Sequence, residues 1–199
     1  MSATFLRFVR RVTLKWRGPC VHPADIRLHL GCGSEYWRGY VNIDNSPGAN
    51  CDVCLDFTRI EERFQPGSVS EIVMIHSLSY LRLWQAREMF GGIYRLLKPG
   101  GQLIVELPDL AKCARKALAH DGALDGYLEA VRGLYAFGLD QICNREMFTP
   151  YAFGWSAWHL QLELKRAGFR RVDLSDPLTH GQRLDRDIRV TATKECPGY

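Results

Sequence analysis

The sequence predicts an α/β chain built on a mostly parallel sheet, and three observations predict it. The apolar run Leu28–Leu30 stops at Gly31-Cys32-Gly33, and the next run, Tyr40–Ile43, ends on the carboxylate of Asp44. Glu71–His76 is a nearly continuous apolar segment, the kind found in a parallel strand buried on both faces. Strand-like runs alternate with segments of helical periodicity, the pattern of right-handed crossovers. Strand, glycine turn, short link, strand and acid also make the opening of a nucleotide-binding sheet. A bare Gly-x-Gly fits an ordinary turn equally well; the acid closing the next strand adds the weight.

The elements follow in order. Phe5, Phe8, Val9, Val12 and Trp16 recur at helical spacing with Arg7, Arg10, Arg11 and Lys15 between them, a basic amphipathic helix. Such a helix suits an anionic membrane surface or a partner, through residues 5–17, or it lies across the domain's own core. Gly18, Pro19 and Pro23 break the chain before the sheet. Asn45-Ser46-Pro47-Gly48 is a turn, Cys51–Leu55 an edge-ward strand running into Asp56-Phe57-Thr58, and Pro66-Gly67-Ser68 a loop. Leu83–Leu97 is helical through Met89, Ile93, Leu96 and Leu97, and Lys98-Pro99-Gly100-Gly101 reads as its terminator and a turn. Gln102–Leu107 is a strand ended by Pro108-Asp109. Leu110 to about Phe137 is helical, and Gly138–Trp155 is irregular and aromatic. Ser156–Ala167 is a helix closed by Gly168, and Arg171–Leu174 and Ile188–Thr193 are two last strands. The organisation expected is a basic segment 1–24 and one domain 25–199, with a helical, aromatic insertion at about 110–155.

Composition narrows the class. The chain has 199 residues, 46% hydrophobic and 24% charged, enough for one full core. No apolar run reaches roughly 18 residues, so no spanning helix is expected, and arginines interrupt any secretory signal. Of the net charge of +4, five cations precede the first acid, Asp25, so the rest of the chain carries −1. That distribution speaks against a nucleic-acid partner, which would more often face basic charge spread over the folded domain. Seven cysteines without framework spacing point to reduced thiols in the cytoplasm. Cys51-x-x-Cys54 has no second close pair to complete a zinc site, and no metal is expected.

Leu28-His29-Leu30-Gly31-Cys32-Gly33, the run Tyr40–Asp44, and Tyr94-Arg95-Leu96-Leu97-Lys98-Pro99-Gly100-Gly101 together resemble the class I S-adenosylmethionine-dependent methyltransferases. The "RLLKPGG" turn before a strand is among the more specific marks of that superfamily. The abbreviated link between Gly33 and Asp44, with Trp37 and Gly39 inside it, looks like a small bacterial branch that accompanies cell-surface polysaccharide enzymes. The resemblance covers Ile26–Asp109, with Leu164–Leu174 as the usual late helix and strand. It implies a Rossmann-like, seven-stranded, mostly parallel sheet with helices on both faces, and S-adenosyl-L-methionine as cofactor. It also implies roles for matched positions. Gly31 and Gly33, with His29 and Cys32 around them, would bring backbone N–H groups and a helix start to the methionine end. Asp44, followed by Asn45, would take the ribose hydroxyls; Asp56 and Phe57 would meet the adenine, although Asp56 also fits a helix N-cap. His76 and Ser77 would line the channel between donor and acceptor.

Two departures stand out: His29 replaces the family's usual acid or asparagine, and His76-Ser77-Leu78-Ser79-Tyr80 replaces "HxLEH". A base is needed if the acceptor is a hydroxyl, and the candidates are His76, Asp109 and His159. Tyr135, Phe137, Phe148, Tyr151, Phe153, Trp155 and Trp158 are either an acceptor wall or the core of a helical cap. The expected activity is methyl transfer to a small-molecule or saccharide acceptor. Two alternatives are a non-catalytic relative serving polysaccharide assembly, and a nicotinamide oxidoreductase, against which the missing third glycine speaks.

Overall fold

The computed structural model describes residues 25–46, 48–119, 124–136, 149–179 and 183–196. The segment 1–24, with the helix expected over Phe5–Trp16, lies outside them, as do Phe137 and Phe148 of the aromatic stretch. The described residues form one seven-stranded sheet in the order β3-β2-β1-β4-β5-β7-β6. Its strands are β1 (Ile26–Leu30), β2 (Val41–Asp44), β3 (Val53–Cys54), β4 (Val69–Ile75), β5 (Leu97–Pro108), β6 (Arg171–Ser175) and β7 (Asp187–Thr193). Every pairing from β3 to β5 is parallel, whereas β7 runs antiparallel to both β5 and β6. Helices α1 (Leu83–Leu96), α2 (Leu110–Leu118), α3 (Leu124–Tyr135) and α4 (Ala157–Arg166) accompany it, and the helical pattern expected from Leu110 is carried by α2 and α3.

Period-two alternation sorts the strand residues. Leu28, Leu30, Val41, Ile43, Ile72, Met74, Leu103, Val105 and Val190 share one core with Phe90 and Ile93 of α1 and Leu160 and Leu164 of α4. On the opposite face Val73, Ile75 and Ile104 form a small cluster packed against Trp37 and Tyr40 of the β1–β2 link. From β1 the chain steps outward to β2 and β3, then returns to β4 and steps the other way. The loops leaving β1 and β4 therefore diverge at the carboxyl ends, where open sheets of this kind bind ligands.

The β1–β2 link is where the structure departs from expectation. No helix follows Gly33; residues 34–40 are turns and irregular chain, and a side chain replaces the helix as their support. Asn42, fully buried on β2, accepts from the Trp37 N–H at 2.9 Å and donates to the Trp37 and Tyr40 carbonyls at 3.0 and 3.2 Å. Asp52 accepts from the Asn42 N–H and side-chain amide, at 2.8 and 3.1 Å, and from the Tyr36 hydroxyl at 2.8 Å. One amide thus satisfies both ends of a loop that lies on the sheet. Asn42→Leu leaves these buried groups without partners, and urea unfolding is expected to show a loss of about 3 kcal/mol. An unchanged midpoint would mean that something else pins the link.

A second difference concerns Lys98-Pro99-Gly100-Gly101. These residues belong to β5, which begins directly at the end of α1. Their partners come from far along the chain: Gly100 N–H donates to the Lys194 carbonyl at 2.7 Å, and Lys194 N–H to the Gly101 carbonyl at 2.9 Å. The Lys194 ammonium also caps the Tyr94 and Leu97 carbonyls at 2.8 and 2.6 Å, at the C-terminus of α1.

Candidate functional site

The glycine turn leaves β1 with Gly31 at φ 70° and Gly33 at φ 55°, both in the left-handed region. Gly31 is pressed against β4: a Cβ placed there would lie 2.3 Å from Ser77 Cβ and 3.4 Å from Phe57 Cε1. Ser77, buried, donates from Oγ to the Leu30 carbonyl at 2.8 Å, so the tips of β1 and β4 are held together. Above Gly33 the space is open, with nothing within 4 Å of a Cβ built there.

The N–H groups of this turn are not presented to a ligand, contrary to the sequence expectation. Gly31 N–H donates to the Ile43 carbonyl at 2.8 Å, Cys32 N–H to the same carbonyl at 3.3 Å, and Gly33 N–H to Asp44 Oδ2 at 2.8 Å. The short link explains it: with no helix between β1 and β2, the turn bonds to the end of β2 itself. Asp44, 6% exposed, also accepts from Ser46 N–H at 2.7 Å through Oδ1. Burial opposes its charge, but these backbone donors outweigh it and hold the carboxyl below its ordinary range. It stays ionised, with lone pairs left over for further donors.

The other expected cofactor residues surround this point. Cys32 is buried, its thiol pushed up to about 12 by burial, and Asn45 is exposed on the turn after β2. Phe57 is half-buried beside Gly31. Asp56 Oδ1 accepts from the Thr58 N–H at 2.9 Å and the Thr58 hydroxyl at 2.7 Å, so Asp56 is the N-cap of the 3-10 turn Phe57–Glu62. His29 does not face this cradle. Its ring is 2% exposed, stacks on Trp37 with centroids 4.6 Å apart, and its Nδ1 lies 3.1 Å from Asn42 Oδ1. Burial lowers its pKa, and it belongs with Asn42 to the support of the link.

The three candidate bases sit in different surroundings. Asp109, at the end of β5, caps α2 by accepting from Lys112 N–H at 2.7 Å and takes the Ala157 N–H at 2.8 Å on its other oxygen. That is anchoring of two helix starts. His159 packs on Trp155 and Phe153, and its Nε2 lies 3.4 Å from Glu163, which also receives Arg87 and Arg166. His76 follows β4 directly with φ 53°, unusual for a residue with a Cβ, and donates its N–H to the Glu106 carbonyl at 2.8 Å. Its Nε2 lies 3.3 Å from Oδ2 of Asp187, a residue that the sequence pattern does not single out.

The aromatic stretch divides. Trp155 is fully buried with Phe90 and Phe153, which is core. Tyr151 instead meets Tyr80 edge-on, centroids 5.0 Å apart, in the electrostatic reach of Arg186 and Asp187; burial raises the pKa of both tyrosines. Tyr135 and Trp158 are exposed.

No protein-family model and no curated protein sequence matches the chain. Solved structures do. A putative S-adenosylmethionine-dependent methyltransferase from Listeria monocytogenes superposes with a TM-score of 0.59 at 16% identity, covering 92% of this chain and 96% of its own. A SAM-dependent methyltransferase from Archaeoglobus fulgidus gives 0.57 at 12% identity, over 87% and 88%. The match to a possible exported protein from Bordetella parapertussis, at 0.55 and 16% identity, covers 87% of this chain but only 63% of that one. The strand order, the antiparallel β7 and these likenesses agree: the chain has the Rossmann-like fold of the S-adenosylmethionine-dependent methyltransferases.

Proposed function

We infer that this protein is an S-adenosylmethionine-dependent methyltransferase acting on a small-molecule or glycan-like acceptor. The observation that carries the reading is the ionised Asp44 carboxylate beside the open space over Gly33, at the point where the loops of β1 and β4 diverge. The donor set fits the cofactor. Asp44 keeps lone pairs for ribose hydroxyls, Phe57 offers a ring edge beside the turn, and Gly33 lacks the Cβ that would fill the cradle. Asp56 caps its turn through Oδ1 alone, which leaves Oδ2 outside those bonds. Bound there, S-adenosylmethionine supplies an electrophilic methyl group on a sulfonium.

The chain's own part is alignment and proton handling. Ser77 locks β4 to β1 and so fixes His76 relative to the cradle; His76 is the base, and Tyr80 and Tyr151 flank the acceptor side. Flat rings and sugar faces both pack on such rings, which supports a glycan-like acceptor of the sort handled in cell-surface polysaccharide assembly. The residues 5–17 would add a peripheral membrane contact in the cytoplasm through their positive charge. Among the described residues no helix is long and apolar enough to cross a membrane.

Calorimetry with S-adenosylhomocysteine tests the reading, with NAD as the counter-ligand. Asp44→Asn, which keeps one acceptor oxygen for the turn, is expected to weaken S-adenosylhomocysteine roughly 10- to 100-fold, the loss of charge-assisted hydrogen bonds. Binding of NAD, or equal affinity in wild type and variant, would refute it.

A further inference from the structure

The sheet ends on β6, and among the described residues no strand pairs with its other edge. An open edge offers unmatched N–H and C=O groups to a further strand, so folded proteins either block it or use it. An apolar surface lies beside this one. Gln161 of α4 donates its side-chain amide to the Val172 carbonyl at 3.2 Å, which sets α4 along β6. Trp158 and Leu162 share that side of α4 and are 68% and 37% exposed. Leu174, on the same face of β6 as Val172, is 47% exposed. The chain turns back from α4 into β6 through residues 167–170, so the first turn of α4, with Trp158, lies towards the end of the strand, with Leu174. Scattered apolar residues on a surface are ordinary, whereas a group of them along an unpaired edge marks an interaction site.

The charges along the edge decide what fits it. Arg170 and Arg171 stand at the start of β6, Asp173 within it and Asp176 just after it, and all four are exposed. The strand is therefore basic at one end and acidic at the other. Arg171 bonds to Asp173 at 2.7 Å and Arg170 reaches Glu195 at 3.5 Å. Both are surface pairs, worth little in water and readily exchanged for others. An edge guarded against its own copies carries like charges; this one matches its own reverse. A second β6 laid antiparallel brings arginine to aspartate twice, whereas a parallel copy brings like to like. A twofold axis at Val172 seats Arg171 of each copy opposite Asp173 of the other, with both sets of apolar side chains on one face of the joined sheet.

We propose that the open edge of β6, with Trp158, Leu162 and Leu174 beside it, is the docking surface for a second copy of this chain. The two β6 strands pair antiparallel, one sheet runs through both subunits, and the exposed faces of the two α4 helices come together across the axis. A twofold contact of this kind closes on itself, so the edge is used up in the dimer and no third copy adds to it. The inference stands apart from the methyltransferase reading, since none of these residues lines the cradle over Gly33.

Sedimentation velocity on the full chain, in reducing buffer and over about 1–200 µM, reads the association. The wild type is expected to pass from monomer to dimer across that range. Arg171→Asp and Asp173→Arg each give the edge a single sign, and each is expected to raise the dimer dissociation constant at least about tenfold. Mixed in equal amounts, the two variants carry opposite signs and are expected to associate as tightly as the wild type. Damage to the fold by either substitution cannot produce that recovery, and both side chains are exposed, so the urea midpoints should stay in place. A wild type that remains monomeric at the top of the range overturns the proposal. So does a dimer that persists unchanged in both variants, or a mixture of the two that stays monomeric. The wild-type measurement decides even if a variant fails to fold.

Discussion

Gly31→Ala is expected to destabilise the protein by about 3 kcal/mol, and Gly33→Ala by about 1 kcal/mol, although both glycines have positive φ. The shared part is the left-handed backbone, which any Cβ strains by about 1 kcal/mol. The difference lies in what the Cβ meets. At Gly31 it would sit 2.3 Å from Ser77 Cβ and 2.9 Å from Ser77 Oγ, neither of which is the end of a long, yielding side chain. Ser77 would have to move, giving up its 2.8 Å bond to the Leu30 carbonyl and parting the tips of β1 and β4. At Gly33 a Cβ meets nothing within 4 Å. Ligand binding should rank the two differently: Gly33→Ala fills the cradle, so its affinity for S-adenosylhomocysteine falls further than its stability does. Urea unfolding and calorimetry on both variants check this. Equal losses of stability would show that β1 and β4 are not packed through Gly31.

What could be read in the sequence was whatever is encoded by neighbours. The run ending at Gly31, the strand closing on Asp44, the apolar segment before His76 and the periodicity of Leu83–Leu97 each carry their pattern in neighbouring residues, and each element is found, the helix ending at Leu96. What was missed depends on partners remote in the chain. Lys98-Pro99-Gly100-Gly101 has the composition of a turn, yet Lys194 supplies the bonds that make it strand. Asp187 resembles any polar residue before a strand, and only the antiparallel β5–β7 register brings it to His76. The missing helix after Gly33 did leave a signal, since so few residues separate Gly33 from Asp44. Asn42 then does by side-chain hydrogen bonds what a helix would have done by packing. His29 is accounted for by the same change: beneath Trp37 it needs a neutral ring that stacks, where a carboxylate would be buried without a cation.

Acid is the second perturbation expected to have a large effect, and its sign follows from groups with lowered pKa. Asp187 is held down at about 2, against an ordinary 3.8, by His76 and Arg186 despite its burial. Glu163 lies at about 2, against 4.5, chiefly through Arg87 and then Arg166. Asp44 and Glu106 are lowered as well, Glu106 by Thr179, the Leu178 N–H and Arg189. A carboxyl that binds its proton less readily when folded stabilises the fold above its unfolded pKa, and that stability disappears as pH falls through the folded value. Asp187 accounts for about 2 kcal/mol of this, from a shift of nearly two units. Glu163 gives less, about 1 kcal/mol, because Arg87 and Arg166 are 50% and 59% exposed and solvent screens them. His29 acts in the same direction at higher pH: burial disfavours its cation in the fold, so protonation below its ordinary 6.5 favours unfolding. As pH is lowered from 7, stability measured by urea should therefore decline gently below 6.5 and fall steeply between 4.5 and 2. Glu163→Gln should flatten the steep limb without touching the gentle one. A stability that does not change between pH 7 and 3 would mean that these carboxylates are as easily protonated in the folded protein as in the unfolded chain.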